Sequence, residues 1–175
     1  MKTVVVLAMH GSPPKDFPRH ELAEFFGLEA RLGAEGVEHG TSARGLDPLR
    51  RRHAELDARM RAWPRTAGND PFFAASRILA AELARVTGHE VVLGFNEFCA
   101  PDLDEALEQA VAARPDRVVV VTAMMTPGGE HAEAEIPLAI SRARERHPGL
   151  EMIYAWPFET GAAAGFLAEQ MRRFL

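Results

Sequence analysis

Short apolar runs that end at turn-forming residues are the most regular feature of the chain. Residues 4–9 are continuously apolar and lead into His10, and the β-branched run at residues 117–125 leads through a Pro-Gly-Gly turn to His131. Near-continuous runs of this kind are typical of strands that are buried on both faces of a sheet. The same pattern predicts two more strands, over residues 90–95 and 151–156.

Between these strands, most of the chain has apolar residues at the spacing of a helix. One helix is predicted to begin at Pro71, because Asp70 supplies a capping carboxylate, and to stop before Gly88. The other helices are predicted over residues 19–32, 103–113 (with Asp102 or Asp104 as its cap), 137–146 and 162–175. This alternation of strands and helices predicts an α/β fold with a parallel sheet, right-handed crossovers and helices on both faces.

Residues from about 36 to 70 break the alternation and are predicted to be an insertion in a single domain that spans residues 1–175. Several glycines and prolines interrupt this segment. Its arginines make it the most cationic part of the chain, and three of them are consecutive at residues 50–52. It is expected to form a loop and one short helix. Two interpretations stay open: a solvated amphipathic helix without a function, or a lid whose guanidiniums bind a polyanionic ligand.

Polar groups that are able to do chemistry follow three of the predicted strands. His10 follows the first, Glu97 lies just beyond the second, and His131 is predicted to lie in a loop after the third. The carboxyl ends of parallel strands share one edge of the sheet, where open α/β folds bind ligands. Two imidazoles and a carboxylate suit divalent cobalt, iron, nickel or zinc, with coordination positions left open. The same groups are also able to act as acid and base without a metal.

Composition and missing motifs narrow the choice of function. The formal net charge of -5 argues against a generic nucleic-acid binder. Cys99 is the single cysteine, so an intramolecular disulfide is excluded. No apolar run approaches the ~20 residues that span a bilayer, and no secretory signal is recognisable, so a cytoplasmic protein is expected. Motifs for dinucleotide and NTP binding are absent, and Ser12 lacks the Gly-x-Ser-x-Gly setting of a nucleophile.

Three segments resemble the class II tetrapyrrole chelatases, most closely the short, single-domain sirohydrochlorin cobaltochelatases of the CbiX type. They are residues 6–12, which end in His-Gly-Ser; residues 95–103, which include Glu97; and residues 125–137, which contain Gly-Gly-Glu-His and end in Ile-Pro. The resemblance implies a chelatase-like half, with a four-stranded parallel sheet, that pairs as a homodimer. It also implies insertion of Co²⁺ into sirohydrochlorin, an early step of anaerobic cobalamin biosynthesis.

The resemblance further implies roles for individual residues. The family's two metal-binding histidines fall on His10 and His131, and its acidic residue falls on Glu97, so all three are expected to be catalytic. The residues expected to contact the bound ligand are Ser12, Gly128 and Gly129.

Two departures from the family pattern bear on the substrate more than on the fold. The insertion is not part of the minimal pattern, and Ser12 is followed by Pro-Pro-Lys-Asp where an arginine often follows the serine. Fe²⁺ or Ni²⁺ in place of Co²⁺ stays open as an alternative, as does a carrier that binds metal or tetrapyrrole without turnover. A lyase or hydrolase that uses the histidines as acid and base without a metal is the third alternative.

Overall fold

The structure is a computed structural model that describes residues 1–37 and 43–175. Within these residues the strands are β1 (Thr3–Met9), β2 (Glu90–Phe95), β3 (Arg117–Thr122) and β4 (Glu151–Tyr154). The α-helices are α1 (Arg19–Val37), α2 (Ala43–Arg61), α3 (Pro71–Thr87), α4 (Leu103–Ala112), α5 (Ile136–Arg146) and α6 (Thr160–Arg172). A π-helix (His131–Glu135) directly precedes α5.

The four strands of the described chain are parallel and form one sheet in the order β2-β1-β3-β4. β1 lies inside the sheet, where Leu7 pairs with Leu93 of β2 on one side and with Val121 of β3 on the other. Every residue of β1 is buried, as expected for an apolar run between two strands. The predicted α/β fold with a four-stranded parallel sheet is therefore confirmed.

Contacts between residues divide the chain into two compact units. The sheet unit comprises Met1–His10, Ser76–Asn96 and Pro101–Leu175. The helical unit comprises Gly11–Ala75 and Glu97–Ala100. It therefore contains α1, α2, the loop after β1 and part of the loop after β2.

One face of the sheet carries the main core of the sheet unit. Alternate strand residues such as Val4, Val6 and Val120 lie on this face. They pack against the buried sides of α4 and α5, which contribute Leu103, Ala106, Leu107, Ala110, Ile136, Ala139, Ile140 and Ala143. Asp102 caps α4 in a capping box with Glu105, so the first of the two caps predicted from the sequence is the correct one.

The opposite face of the sheet carries α3 and α6 and is less completely filled. An apolar groove of about 490 Å³ is lined by Leu7 and Val121 of the strands, Leu79 of α3 and Phe166 of α6, among others. No residue of α6, all of which the structure describes, is buried. The apolar residues of this predicted helix, among them Phe166 and Leu167, therefore lie at the surface. No helix in residues 1–37 and 43–175 has the length and apolarity that crossing a bilayer requires.

The helical unit is built on α1 and α2, and both helices are longer than predicted. α1 runs to Val37 rather than to residue 32, and α2 spans 19 residues, Ala43–Arg61, where one short helix was predicted. Gly33 and Pro48 lie inside these helices, although a glycine or proline at an interior position costs a helix about 1–3 kcal/mol. The buried apolar residues of the two helices are Phe25, Leu28, Leu56 and Met60. The predicted insertion thus begins inside α1, and its residues 38–42 lie outside the described residues.

Arginines of α2 pair with carboxylates of the helical unit itself. Arg52 makes two hydrogen bonds of 2.7 and 2.8 Å to Glu24 of α1. The hydrogen bond from Arg52 lowers the pKa of Glu24. Arg59 lies 2.9 Å from Glu21, which is also on α1. These guanidiniums already neutralise groups of the chain, which favours a structural helix over a lid for this part of the insertion.

Candidate metal site

Two histidines follow the ends of neighbouring strands of the sheet unit. His10 is the first residue after β1, and His131 begins the π-helix that follows β3 and its loop. β1 and β3 are adjacent and parallel, so the chain leaves both strands at the same edge of the sheet. This carboxyl edge is where open α/β folds bind ligands.

The two imidazole rings contact each other edge to face, with centroids 4.6 Å apart and planes at 79°. A nitrogen of His10 lies within 4.8 Å of a nitrogen of His131. This separation is of the order that one shared ion requires, since two imidazoles bound at about 2.1 Å in tetrahedral geometry keep their nitrogens about 3.4 Å apart. His10 is exposed and the His131 side chain is 24% exposed, so the pair is accessible to a ligand. The predicted convergence of the two rings is confirmed.

Glu135 fixes the orientation of the His131 ring. His131 Nδ1 lies 2.8 Å from Glu135 Oε2, four residues further along the chain. The side-chain amide of Asn96 donates a second hydrogen bond to the same oxygen at 2.9 Å, and the Asn96 N–H donates to the carbonyl of Met9. An ionised carboxylate only accepts hydrogen bonds, so Nδ1 carries the proton. The Nε2 lone pair of His131 is then the one that can bind a metal.

Two hydrogen bonds stabilise the π-helix that begins at His131. The N–H of Ile136 closes the wide turn on the carbonyl of His131. The hydroxyl of Tyr154 in β4 donates to the carbonyl of Ala132 at 2.8 Å. Burial, with a contribution from the nearby Glu133 carboxylate, raises the pKa of Tyr154 to about 12, so this donor stays protonated near neutral pH.

The prediction of a loop at His131 is wrong. Pro137 does stand in the first turn of α5, as predicted, but helical turns already start at His131, in the π-helix before it. Pro137 has no N–H to donate to the residue four positions before it, and the wider π register accommodates that missing bond. Short π-helical segments of this kind are frequent at functional sites.

Gly128 and Gly129 form the turn that leads into the π-helix. Gly128 has a φ of 96°, a left-handed conformation that glycine adopts without strain. Its N–H donates to Glu133 Oε1 at 2.9 Å, and the carbonyl of Gly129 accepts from the Glu133 N–H at 3.0 Å. Both glycines therefore have a role in the turn, and their contact with a ligand stays a prediction.

Ser12 and Glu97 lie in the loops of the helical unit. The hydroxyl of Ser12 donates a long hydrogen bond of 3.4 Å to the carbonyl of Pro13, and the carbonyl of Ser12 accepts from Arg65 at 2.7 Å. The carbonyl of Glu97 accepts from the N–H of Cys99 at 2.7 Å, and the residue is half-buried. The roles predicted for Ser12 and Glu97 stay predictions.

The residues that support the histidines were not predicted to do so. Glu135 had a readable signal, because a histidine and a glutamate four positions apart lie on one face of a helix. The loop predicted over this segment concealed that signal. Asn96 and Tyr154 have no comparable signal, since the pairing of β2 and β4 with the rest of the sheet brings them to the site.

These contacts define a parallel α/β protein with a candidate metal site of two imidazoles at the carboxyl edge of its sheet. Neutral imidazoles bind divalent cobalt, nickel, iron or zinc, and a site with few protein ligands keeps coordination positions open. Such a site is able to hold an ion and release it to another ligand.

The chain belongs to the CbiX family, whose model matches residues 71–169. The matched part contains β2, β3 and β4 together with Glu97, Gly128, Gly129 and His131. His10 precedes the matched residues, so the family match and the convergence of the two rings are separate observations.

Three known proteins are similar to parts or all of this chain. The curated sirohydrochlorin cobaltochelatase of Priestia megaterium is 35% identical over 63 residues, which are 36% of this chain and 20% of that protein. A solved structure from Marinobacter aquaeolei VT8, described as a CbiX protein of cobalamin (vitamin B12) biosynthesis, has a TM-score of 0.52 and 15% identity, over 98% of this chain and 94% of that one. The sirohydrochlorin chelatase SirB from Bacillus subtilis subspecies spizizenii, in complex with cobalt, has a TM-score of 0.44 and 18% identity, over 90% of this chain and 44% of that one. The Marinobacter structure shows the likeness of fold, and the match to the curated relative spans about a fifth of that protein.

Proposed function

We propose that this chain is a metal chelatase that inserts Co²⁺ into sirohydrochlorin, an early step of anaerobic cobalamin biosynthesis. The observation that carries the proposal is the pair of imidazoles, His10 and His131, with nitrogens within 4.8 Å of each other at the carboxyl edge of the sheet. Membership of the CbiX family and the partial likeness to a sirohydrochlorin cobaltochelatase support it.

In this mechanism the two histidines hold Co²⁺ before it is transferred. Glu135 orients the ring of His131 so that Nε2 faces the ion, and His10 supplies a second nitrogen. Two imidazoles leave the other coordination positions to water, which the nitrogens of the tetrapyrrole replace in turn. A site with two protein nitrogens also binds a divalent ion less tightly than a closed site with four, which suits an ion that must leave.

Insertion also requires acceptors for protons. The ring enters with two N–H protons, and both leave as its nitrogens bind Co²⁺, so two protons are released for each ion inserted. An imidazole that has given up the metal regains its lone pair and is able to take up one proton near neutral pH. The half-buried carboxylate of Glu97 is the proposed acceptor of the other.

We propose that Ser12, Gly128 and Gly129 contact the tetrapyrrole. Both glycines are exposed and have open space where a Cβ would stand, so a flat ring is able to approach the backbone closely. Fe²⁺ and Ni²⁺ accept the same imidazole ligands as Co²⁺, so the choice of metal needs its own comparison.

We propose that two copies of the chain form a homodimer through α6 and α3. Phe166, Leu167 and Met171 of α6 are 62%, 52% and 60% exposed, and Phe166 also lines the apolar groove with Leu79 of α3. Apolar surfaces of this kind are typical of protein–protein interfaces, and a symmetric dimer covers the same stripe in both copies. The cytoplasmic location expected from the sequence stays a prediction.

The test is a metal-insertion assay with sirohydrochlorin and Co²⁺, followed by the absorbance of the ring. His10→Ala and His131→Ala should each slow insertion at least about 100-fold, because losing a ligand costs more than losing the group that orients it. His20→Ala is the matched control, since it removes an imidazole whose side chain is 83% exposed on α1, and should keep the wild-type rate.

Full activity in both His10→Ala and His131→Ala would contradict the mechanism. A wild-type protein that binds Co²⁺ and sirohydrochlorin without accelerating insertion would be a carrier. Parallel assays with Fe²⁺ and Ni²⁺ decide the metal, because the physiological ion should give the highest kcat/KM.

A further inference from the structure

A buried ion pair of the helical unit joins the predicted insertion to the loops that follow β1 and β2. Arg65 Nη1 lies 2.6 Å from Asp70 Oδ2, and the two side chains are 5% and 0% exposed. Both residues lie between α2 and α3. A pair buried this completely loses the hydration of both charges, so it needs further hydrogen bonds in compensation.

The other bonds of Arg65 reach three backbone carbonyls in three different segments. Nη1 donates to the carbonyl of Ser12 at 2.7 Å, and Nη2 donates to the carbonyl of Met60 at 2.8 Å and to that of Phe98. Ser12 follows β1, Met60 lies in the last turn of α2, and Phe98 follows β2. A planar guanidinium with five N–H donors is suited to this bridge, whereas a lysine has three donors on one atom.

Asp70 is fixed by contacts of its own. Its Oδ1 accepts the N–H of Phe73 at 2.9 Å at the start of α3, as the sequence predicted for this cap. Its Oδ2 lies 3.6 Å from Cys99 Sγ. Burial raises the pKa of the Cys99 thiol, so the sulfur stays neutral and adds no second negative charge beside the carboxylate. Arg65 is therefore anchored to a fixed group.

The two loops that Arg65 joins, residues 11–14 and 97–100, are called the paired loops here because their backbones touch. Gly11 has a φ of 126°, and a Cβ at this position would lie 1.9 Å from the carbonyl oxygen of Glu97. Only glycine fits such a contact. Gly11 is the residue directly after His10, and Glu97 is itself a predicted site residue.

One of the paired loops also contains a strained residue. Phe98 has a φ of 61°, a left-handed conformation that bulky residues adopt only where the surroundings enforce it. Arg65 binds the carbonyl of Phe98, and Arg61 Nη1 donates to the carbonyl of the next residue, Cys99, at 3.0 Å. Two arginines of the predicted insertion thus hold the strained loop by its backbone.

We propose that Arg65 is a positioning residue, which keeps the paired loops in the one conformation that presents Ser12 and Glu97 to the tetrapyrrole. The effect on catalysis rests on the proposed chelatase function, whereas the contacts of Arg65 do not. The insertion then supports these loops. Arg65 binds carbonyls and a carboxylate of the chain itself, and Arg52 and Arg59 likewise bind its carboxylates.

The test compares Arg65→Lys with Arg51→Ala. Lysine keeps the charge opposite Asp70 but cannot reach three separate carbonyls at once. Arg51 is an exposed arginine of α2, so its loss removes one positive charge from the same region. Circular dichroism defines the temperature range in which each variant is fully folded, and all assays are done within that range.

Two measurements report on the paired loops directly. Cys99 is the only cysteine of the chain and is buried, so its rate of labelling by a thiol reagent such as DTNB reports the opening of its loop. Hydrogen exchange followed by mass spectrometry reports on residues 11–14 and 97–100. Arg65→Lys should raise both rates at least about tenfold, because local opening exposes the groups, and Arg51→Ala should leave them unchanged.

Kinetics distinguish positioning from stability alone. Arg65→Lys should lower kcat for Co²⁺ insertion about 10- to 100-fold, the cost of misplacing reacting groups by roughly an ångström. Its Kd for Co²⁺ without tetrapyrrole should stay within about threefold of the wild-type value, because Arg65 shares no bond with the histidines. A purely structural role would leave kcat at the wild-type value, because both variants are assayed only where they are fully folded.

Unchanged labelling and exchange in Arg65→Lys would overturn the inference, whatever its activity. Faster labelling together with a wild-type kcat would overturn it too. If the wild-type protein inserts no metal while Arg65→Lys still opens the paired loops, the chelatase proposal fails and the support of the loops by Arg65 stands.

Discussion

Removing the carboxylate of Glu135 should weaken the binding of Co²⁺ to this protein. Glu135 Oε2 accepts hydrogen bonds from His131 Nδ1 at 2.8 Å and from Asn96 at 2.9 Å. A hydrogen bond to a charged group contributes about 1.5–3 kcal/mol, and we take the lower end because the Glu135 side chain is 42% exposed. Since about 1.4 kcal/mol is a factor of ten, Glu135→Ala should raise the Kd for Co²⁺ about tenfold.

The size of the effect depends on what replaces the carboxylate. In Glu135→Ala, Nδ1 of His131 loses its acceptor, so the ring is free to rotate and to place its proton on Nε2, where it blocks metal binding. Glu135→Gln keeps an oxygen that accepts the Nδ1 proton but removes the charge. It should therefore raise the Kd by only about threefold, which is half of the free-energy effect on the logarithmic scale.

The assay is a titration with Co²⁺ followed by calorimetry, in the absence of tetrapyrrole. Glu130→Gln is the matched control, because Glu130 is an exposed glutamate directly before His131 and its loss removes the same charge without the hydrogen bond. A wild-type Kd in Glu135→Ala would refute the reasoning. An equal loss in Glu130→Gln would refute it as well, since net charge would then explain the effect.

Three further predictions concern packing, ion pairing and assembly. Gly11→Ala should lower the free energy of unfolding in urea by at least about 2 kcal/mol, because its Cβ would meet a carbonyl oxygen at 1.9 Å. Gly27→Ala is the control: this residue has open space in α1, so alanine there should raise the free energy of unfolding by about 0.5–1 kcal/mol. Hydrogen bonding by Arg142 lowers the pKa of Asp104, so the pair stabilises the fold above the unfolded pKa of about 3.9 and ceases to do so as the pH falls through the lowered value. Arg142→Ala should therefore cost about 0.5 kcal/mol at pH 7 and progressively less as the pH falls below about 3.9, and a cost that does not change with pH would contradict this. Phe166→Ser should turn a dimer into a monomer in light scattering, whereas a wild-type monomer would exclude the proposed interface.

The sheet and the meeting of the two histidines were predictable from local sequence patterns. Residues 4–9 are apolar throughout because β1 lies between two strands, and that burial leaves a signal in the sequence itself. His10 and His131 were predicted to meet because both follow strands of this kind, and parallel strands end at a common edge.

Other features depend on contacts that no short stretch of sequence records. α1 continues through Gly33, although glycine has a low helix propensity, so local propensity places the end of this helix too early. The π-helix at residues 131–135 depends on closure by Ile136 and on Tyr154, which is distant in the sequence. In the sequence Arg65 is one of several arginines in a basic segment, and only the fold shows that its side chain is buried in an ion pair with Asp70.

The central claim is that the two histidines bind the metal that the ring receives. Its most direct test is a single-turnover stopped-flow experiment, in which protein loaded with one Co²⁺ per chain is mixed with sirohydrochlorin. The visible absorption of the protein-bound cobalt should disappear with the same rate constant as the cobalt–tetrapyrrole spectrum appears, and His10→Ala combined with His131→Ala should show neither phase. Metallation of the ring at the rate of free Co²⁺, while the cobalt stays on the protein, would contradict the account.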